Sequence, residues 1–144
     1  MRTSFVLGKN GGALTKLGQL ARFGLGGTVG RGHQRMSLIH EDDMNRVFFD
    51  SLTRDEIEGV YIATAPKPVS NKEFMKTLRE ALGIRIGLPA YSFLAKIAAP
   101  LLLKTDSELA LYGRYCEPKR LLESGFEFQF PELREAFKAL FSKL

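Results

Sequence analysis

The sequence predicts an α/β fold that is rich in helices and has a few short strands. Apolar residues recur at helical spacing in several segments, most clearly in the last one, from Pro131 onward. Short runs of aromatic and β-branched residues lie between these segments. The composition, 44% hydrophobic and 26% charged over 144 residues, is that of an ordinary globular protein with a core of its own.

The first 40 residues predict a strand, a helix and a glycine-rich loop. Residues 3–7 form a short apolar run that predicts a strand and ends in the glycine-containing turn 8–12. Residues 13–23 have apolar side chains at helical spacing. Residues 24–32 are rich in glycine and predict a loop, and residues 36–40 are a short apolar stretch before the next helix.

Further helices and two strands are predicted along the rest of the chain. A helix from Asp42 is expected to place Met44, Val47, Phe48 and Leu52 on one face. The order that follows is a strand over 59–63, a helix capped by the Ser-Asn-Lys-Glu box at 70–73 and closed by Gly83, helices over 90–99 and 101–111, a short helix from Pro118 to Glu123, a strand over 126–130, and the final helix.

Charge is distributed unevenly along the chain. Residues 1–40 contain six Lys or Arg and 9 of the 14 glycines, whereas all 16 acidic residues lie from Glu41 onward. Because glycine lets backbone N–H groups approach a ligand closely, this acid-free segment could cradle an anion, and a flexible basic surface arm is the alternative. No nucleic-acid motif accompanies it.

Several classes of protein and site are disfavoured by the residue counts. A single cysteine, Cys116, excludes an internal disulfide framework, and two histidines leave little for a metal. No signal peptide or membrane-spanning segment is recognised, so a cytoplasmic protein is expected.

Two motifs have the spacing of known functional sites, but the residues around them do not support those functions. The glycines from Gly24 to Gly30 have a dinucleotide-loop spacing, but a helical pattern precedes them where a strand is required. Tyr115 and Lys119 have the spacing of a proton-transfer pair, but Pro118 prevents the helix that would stack them. We expect Tyr115 to be partly buried, Lys119 to be solvated and Cys116 to be a buried apolar residue.

His40 and Asp43 allow an acid–base reading and a structural one. We favour the structural one, in which His40 bonds the backbone and Asp43 lies near the start of the next helix. Asn71 is likewise expected to cap or brace a loop.

An ordered set of segments resembles the extended short-chain dehydrogenase/reductases, in the epimerase-like, sugar-nucleotide-epimerase-type branch. The matching segments are Arg2–Gly8 with Gly11–Leu14, Phe23–Gly27, Gly30–Gln34, Ser37–Asp43, Asn71 with Glu73–Phe74, Pro118–Leu122 and Gly125–Phe126. The resemblance runs nearly end to end and covers the family's C-terminal part. It implies a Rossmann-type fold without its N-terminal dinucleotide-binding half, with residues 1–88 ending the epimerase/dehydratase domain and 89–144 forming the small helical C-terminal domain of unknown role.

The resemblance also implies site residues and ligands. No catalytic residue is assigned, since the family's Tyr-x-x-x-Lys pair has no counterpart here. By position, the residues expected at the cofactor, NAD or NADP, are Arg2, Val6, Leu7 and Gly8, and those expected at the substrate are Gly11, Gly12, Ala13, Gln34 and Arg35. Related epimerases commonly have an arginine at the position of Met36, and this arginine binds a phosphate of the nucleotide. Because Met36 carries no charge, a nucleotide-sugar substrate is in doubt.

Three functions remain open at this point. The first is the substrate-binding half of an NAD(P)-dependent epimerase or oxidoreductase. Alone, this half would be inactive. Its substrate would be a small molecule, which could be an anion. The second is a non-catalytic interaction or anion-binding module that pairs with a separate nucleotide-binding half. The third is a phosphate or nucleic-acid binder. The resemblance is compatible with a fragment, a truncated reading frame or a half-protein, and predicts self-association through apolar surface near Phe5, Leu7 and Leu14.

Overall fold

A computed structural model describes residues 1–9, 12–85 and 115–142. The helices predicted over 90–99 and 101–111 lie outside these residues. Numbered along the described chain, the strands are β1 (Arg2–Thr3), β2 (Phe5–Leu7), β3 (Arg35–Met36), β4 (Leu38–His40), β5 (Ile62–Ala63) and β6 (Val69–Ser70). The helices are α1 (Gly12–Leu20), extended by a π-helical turn (Ala21–Leu25), α2 (Glu41–Thr53), α3 (Asn71–Ala81), α4 (Lys119–Glu123) and α5 (Leu133–Phe141). This confirms the helix-rich α/β prediction.

Among the described residues the strands pair two by two, and two of these three pairs are parallel. β1 pairs with β5, with Thr3 opposite Ala63. β2 pairs with β4, with Val6 opposite Ile39 and Leu7 opposite His40. The third pair, β3 with β6, is antiparallel.

Two apolar clusters hold these elements together. The larger one lies where α3 and α5 pack on β2 and β4, and its fully buried aromatic rings, Phe74 and Phe137, meet edge to face at a centroid distance of 5.4 Å. The smaller one lies under α2, where Met44 and Val47 cover Ile39. The larger cluster also buries Leu7 and Leu14. The Leu7 and Leu14 side chains themselves are therefore not exposed, whereas Val6 beside them is 40% exposed, and self-association stays a prediction.

The predicted helix boundaries agree closely with the structure. The Ser70 side chain accepts the Glu73 N–H at 3.2 Å, as the capping box requires, and Gly83 follows α3 with a positive φ of 70°. The short helix α4 and the buried stripe of α5 are also confirmed. Among the described helices, none is long and apolar enough to cross a membrane.

Two local predictions were wrong. Residues 126–130 do not form a strand, because side-chain carboxylate oxygens rather than a neighbouring strand accept the N–H groups of Gln129 and Phe130. Phe48 and Leu52 do not face the core with Met44 and Val47, because they lie on another side of α2 and are exposed. Of residues 59–63, only Ile62–Ala63 are strand.

Candidate functional site

The carboxyl ends of the parallel strands β2 and β4 form the first part of the candidate site. Ligands of parallel α/β sheets commonly bind at this end of the strands. Gly8 follows β2, and a Cβ atom at this position would lie 2.6 Å from the Glu41 Oε2 atom. The N–H of Lys9 donates to Glu41 Oε1 at 3.2 Å. A side chain at residue 8 would therefore have to displace the Glu41 carboxylate.

His40 and Asp43 lie at the same end of the sheet, and both side chains accept hydrogen bonds from backbone N–H groups. The buried His40 ring accepts the Asp42 N–H through Nδ1 at 3.1 Å and so caps α2. The fully buried Asp43 carboxylate accepts the N–H groups of Gln129 and Phe130 at 2.8 and 2.9 Å. These contacts agree with the structural interpretation of both residues.

The glycine-rich segment 26–34, here called the basic loop, is a second candidate region, and it lies towards the other end of these strands because it precedes β4. Asn71, the first residue of α3, braces it: its Oδ1 accepts the Val29 N–H at 2.9 Å, and its own N–H donates to the Gln34 carbonyl at 2.9 Å. The N–H of Lys72 donates to the Gly32 carbonyl at 3.1 Å. The start of α3 thus fixes the path of the loop, as expected for Asn71.

The Arg79 guanidinium provides a second anchor for the basic loop. Its Nη1 donates to the Gly26 carbonyl at 2.5 Å, across 53 positions of sequence. Within the loop, Gln34 Nε2 donates to the Val29 carbonyl at 3.0 Å. The side chains of Arg31 and His33 remain exposed. A helical pattern precedes the loop and no helix follows its glycines, so the loop lacks the strand–turn–helix context of a dinucleotide site.

Arg35, a predicted substrate residue, lies on β3 beside Tyr115. Its guanidinium carbon is 5.4 Å from the centre of the tyrosine ring. The Tyr115 hydroxyl donates to the Glu117 carboxylate, and this hydrogen bond raises the pKa of Tyr115 above its usual range. Tyr115 is 52% exposed, so the expectation of partial burial was wrong.

The other half of the rejected proton-transfer pair behaves as expected. Lys119 is the first residue of α4, and its side chain is exposed. Residues 115–118 are not helical, so Tyr115 and Lys119 do not stack on one helix face. Cys116 is only partly buried, and its N–H donates to the Ser37 hydroxyl at 2.8 Å.

The predicted site residues divide between the two ends of the β2–β4 pair. Gly8 lies at the carboxyl end, and Gly12 and Ala13 begin α1 shortly after it. Gln34 and Arg35 precede β4 and lie at the opposite end. The remaining predicted positions are distributed as follows: the Arg2 side chain is exposed on β1, Val6 is exposed on β2, Leu7 is buried in the larger cluster, and Gly11 lies outside the described residues.

A groove on the described surface lies away from the predicted residues. It has a volume of about 250 Å³ and lies between β6, α3 and α5, with Lys67, Glu73 and Arg134 among its lining residues. A second cavity, beside the buried His40, is only about 10 Å³, which is room for one water. In residues 1–9, 12–85 and 115–142, no three His, Cys, Asp or Glu side chains are grouped so as to hold a metal ion.

Two residues at the site were missed from the sequence. Arg79 was not singled out, because an arginine on the polar side of an amphipathic helix usually faces solvent. Glu41 was interpreted only as a favourable charge at the α2 N-terminus, yet it contacts both residues that follow β2. No local pattern marks either contact, since each joins segments more than 30 positions apart.

Comparisons with known proteins agree on one family. Residues 92–140 match the model of a domain of unknown function, DUF1731. The human epimerase family protein SDR39U1 is 34% identical over 140 residues, which are 97% of this chain and 47% of the human protein. The chain thus spans about half the length of the curated relatives it matches.

Solved structures show the same relationship. The crystal structure of human SDR39U1 isoform 2 with NADPH is 32% identical and superimposes with a TM-score of 0.88, covering 99% of this chain and 48% of the human one. A nucleoside-diphosphate sugar epimerase from Corynebacterium glutamicum, 26% identical, has a TM-score of 0.72 and is matched over 96% of this chain and 25% of its own.

These matches confirm the resemblance recognised in the sequence. The chain corresponds, over nearly its whole length, to the C-terminal half of an epimerase-like extended short-chain dehydrogenase/reductase with a Rossmann-type fold.

Proposed function

We propose that this chain is the substrate-binding half of an NAD(P)-dependent epimerase- or oxidoreductase-like protein and that it has no turnover alone. The observation that carries the proposal is its similarity, over 99% of its length, to about half of a protein solved with NADPH. Hydride chemistry belongs to the nicotinamide cofactor, and the protein supplies binding and orientation.

The residues of this chain suit the nicotinamide end of such a cofactor better than its pyrophosphate. Gly8, at the carboxyl end of a parallel strand, offers backbone groups without a side chain. Leu7 is buried, so only its backbone could reach a ligand, whereas Arg2 and Val6 are exposed. The basic loop lacks the strand and helix that position a pyrophosphate. The pyrophosphate would therefore bind to the other half of the protein.

The basic loop suits a small anionic substrate. It presents Arg31 and His33, and Arg35 follows it on β3, while the first 40 residues contain no acidic side chain. The Met36 sulfur lies 3.7 Å from Asn71 Nδ2, so this position offers an apolar thioether where an arginine would be needed to hold a nucleotide phosphate. The absence of a basic side chain at Met36 counts against a nucleotide-sugar substrate.

The proposal can be tested by titrating NADPH into two proteins by calorimetry. One is this chain, and the other is a chimera in which the half of human SDR39U1 that this chain does not match is joined ahead of Met1. We expect one NADPH bound per chimera and no binding to the chain alone. Stoichiometric binding by the chain alone, or no binding by the chimera, would contradict the proposal.

An anion-binding module without redox function is the second candidate, favoured by the acid-free charge of residues 1–40. It predicts that the chain alone binds inorganic pyrophosphate at the basic loop, that affinity falls with added salt, and that Arg31→Gln weakens it. Lys138→Gln, which removes an equal charge from α5, is the matched control. Pyrophosphate binding together with a chimera that binds no NADPH would favour this second function.

A further inference from the structure

We propose that Glu41 is a positioning residue for the nicotinamide end of the cofactor. Its carboxylate holds the backbone of residues 8–9, here called the β2 turn, in the conformation that receives the nicotinamide ring. This inference rests on the proposed function, which assigns the nicotinamide end of NAD(P) to the residues at the end of β2. Glu41 acts through the backbone of Gly8 and Lys9 and does not itself have to touch the cofactor.

The two carboxylate oxygens of Glu41 make different contacts with the β2 turn. Oε1 accepts the Lys9 N–H at 3.2 Å. Oε2 lies beside Gly8, only 2.6 Å from the place where a Cβ atom would stand, and Cβ contacts below 3.0 Å are essentially never found. The carboxylate therefore binds the backbone of residue 9 and fills the space that a side chain at residue 8 would need.

The strand register shows from which direction the carboxylate covers Gly8. Val6 lies opposite Ile39, which is buried under Met44 and Val47 of α2. Because alternate residues of a strand share a face, a side chain two residues after Val6 would also point towards α2. Glu41, the first residue of α2, closes this direction. A ligand must therefore approach the Gly8 backbone from another side.

The residues on both sides of Glu41 are fixed in place. His40 is buried, and its Nδ1 atom accepts the Asp42 N–H at 3.1 Å, which caps α2. Asp43 is fully buried and binds the backbone of residues 129–130. The Glu41 backbone cannot shift without breaking these contacts. Only its side-chain torsions have to be ordered for the carboxylate to hold the β2 turn.

A carboxylate suits this position for two reasons. It carries only acceptor oxygens when ionised, and a hydrogen bond from a backbone N–H to a charged acceptor is stronger than one to a neutral acceptor. A negative charge in the first turn of α2 is also favourable to the helix dipole. The contact with Lys9 and the start of the helix therefore favour the same residue type.

The consequence for the cofactor is preorganisation. Gly8 has wide conformational freedom unless its neighbours restrict it, and α1 does not begin until Gly12. Fixing the β2 turn before the cofactor arrives removes an ordering cost that binding would otherwise have to overcome. Without the Glu41 carboxylate, that cost would fall on the nicotinamide end of the cofactor and not on its pyrophosphate or adenine.

The first measurement is hydrogen exchange of the Lys9 amide in the chain alone, followed by NMR. We expect exchange in Glu41→Ala to be at least about fivefold faster than in the parent, because this N–H loses its acceptor. Glu41→Gln keeps an acceptor oxygen and should restore most of the protection. Asp42→Ala is the matched control, since it removes an equal charge from the same helical turn at a side chain that is 59% exposed.

The second measurement is calorimetric titration of the chimera defined above with two ligands. One is NADPH, and the other is 2′-phospho-ADP-ribose, which corresponds to NADPH without its nicotinamide ring. We expect Glu41→Ala to weaken NADPH binding at least about fivefold and to leave 2′-phospho-ADP-ribose binding unchanged. Glu41→Gln should restore most of the NADPH affinity, and Asp42→Ala should bind both ligands like the parent chimera.

The outcomes separate this role from a general effect on folding. An equal loss of affinity for both ligands in Glu41→Ala would overturn the proposal, because Glu41 would then support the protein as a whole. A loss in Glu41→Gln or Asp42→Ala as large as that in Glu41→Ala would overturn it as well, since charge would then be the cause.

The parent chimera distinguishes this inference from the proposed function. If the parent chimera binds no NADPH, the proposed function is contradicted, and the role of Glu41 falls with it. If the parent binds NADPH and Glu41→Ala binds it equally well, only the role of Glu41 is contradicted. Exchange of the Lys9 amide that is the same in the parent and in Glu41→Ala would also overturn that role, whatever the chimera binds.

Discussion

The carboxylate of Asp43 accepts the backbone N–H of Phe130 at 2.9 Å, although the two residues are 87 positions apart. It also accepts the Gln129 N–H, and Arg46 donates to the same carboxylate at 3.1 Å. The Phe130 ring lies over the His40 ring with centroids 4.0 Å apart. One buried acid thus ties the segment before α5 to the N-terminal turn of α2.

Replacing this acid should therefore loosen the C-terminal segment. Asp43→Asn removes the charge and one of the acceptor oxygens, so we expect the free energy of unfolding to fall by about 2–3 kcal/mol. Urea denaturation measures the change. Glu127→Gln, at an exposed position of the same segment, is the control and should change it by less than about 0.5 kcal/mol. Equal effects of the two substitutions would show that the Asp43 contacts contribute nothing.

The basic loop should depend on the acceptor oxygen of Asn71. In Asn71→Ala the Val29 N–H loses its partner, and we expect its hydrogen exchange to become at least about tenfold faster while that of α5 is unchanged. Asn71→Asp keeps an acceptor oxygen and should restore most of the protection. Exchange at Val29 that is identical in all three proteins would exclude Asn71 as the brace.

Substituting two glycines of the basic loop distinguishes the cost of backbone strain from the cost of steric crowding by a side chain. Both have positive φ, 60° at Gly30 and 70° at Gly32, but only Gly32 is enclosed: a Cβ there would lie 2.2 Å from Thr28 Cγ2 and 3.0 Å from Lys72 Cβ. Gly30→Ala should cost about 1 kcal/mol, and Gly32→Ala about 2–4 kcal/mol. Thermal unfolding compares them. A Gly32→Ala cost no larger than that of Gly30→Ala would argue against the close packing of the loop on α3.

The exposed ion pair between Lys67 and Glu132 should be detectable as a shift in the pKa of each side chain. The hydrogen bond and the charge of Lys67 lower the pKa of Glu132, and the same contacts raise the pKa of Lys67. The stability that the pair provides is therefore lost at the acid end as pH falls through the lowered pKa of Glu132. It is lost at the alkaline end as pH rises through the raised pKa of Lys67.

The prediction is that Lys67→Met returns the pKa of Glu132 towards its ordinary value, measured by NMR titration of the carboxyl carbon. Lys138→Met should leave it unchanged, and added salt should reduce the shift in the parent protein because both groups are exposed. A Glu132 pKa that is the same with and without Lys67 would refute the pairing.

Local patterns predicted the elements whose signals are local. The capping box at Ser70 and the apolar stripe of α5 each need only a few consecutive residues, and both are present in the structure. Residues 126–130 alternate like a strand, but the N–H groups of Gln129 and Phe130 bind the buried carboxylate of Asp43, far away in sequence. No pattern within the segment could show that competing partner.

The same distinction explains what was missed at the candidate site. The brace at Asn71 was expected, because Asn at a helix start commonly bonds nearby backbone. The exposure of Phe48 and Leu52 was not expected, because helical spacing alone does not show which side of the helix packs on the sheet. The register of β2 on β4 and the contact between Glu41 and Gly8 determine that side.

That this chain is one half of a larger protein is most directly tested by hydrogen exchange of the Val6 amide, measured by NMR in the chain alone and in the chimera that carries the unmatched half of human SDR39U1. The Phe5 N–H donates to the Ser37 carbonyl on the β4 side, so the next N–H along β2, that of Val6, faces away from β4. The account predicts rapid exchange in the chain and exchange at least about tenfold slower in the chimera, where the added half supplies an acceptor for this N–H. A Val6 amide that exchanges at the same rate in both proteins would contradict it.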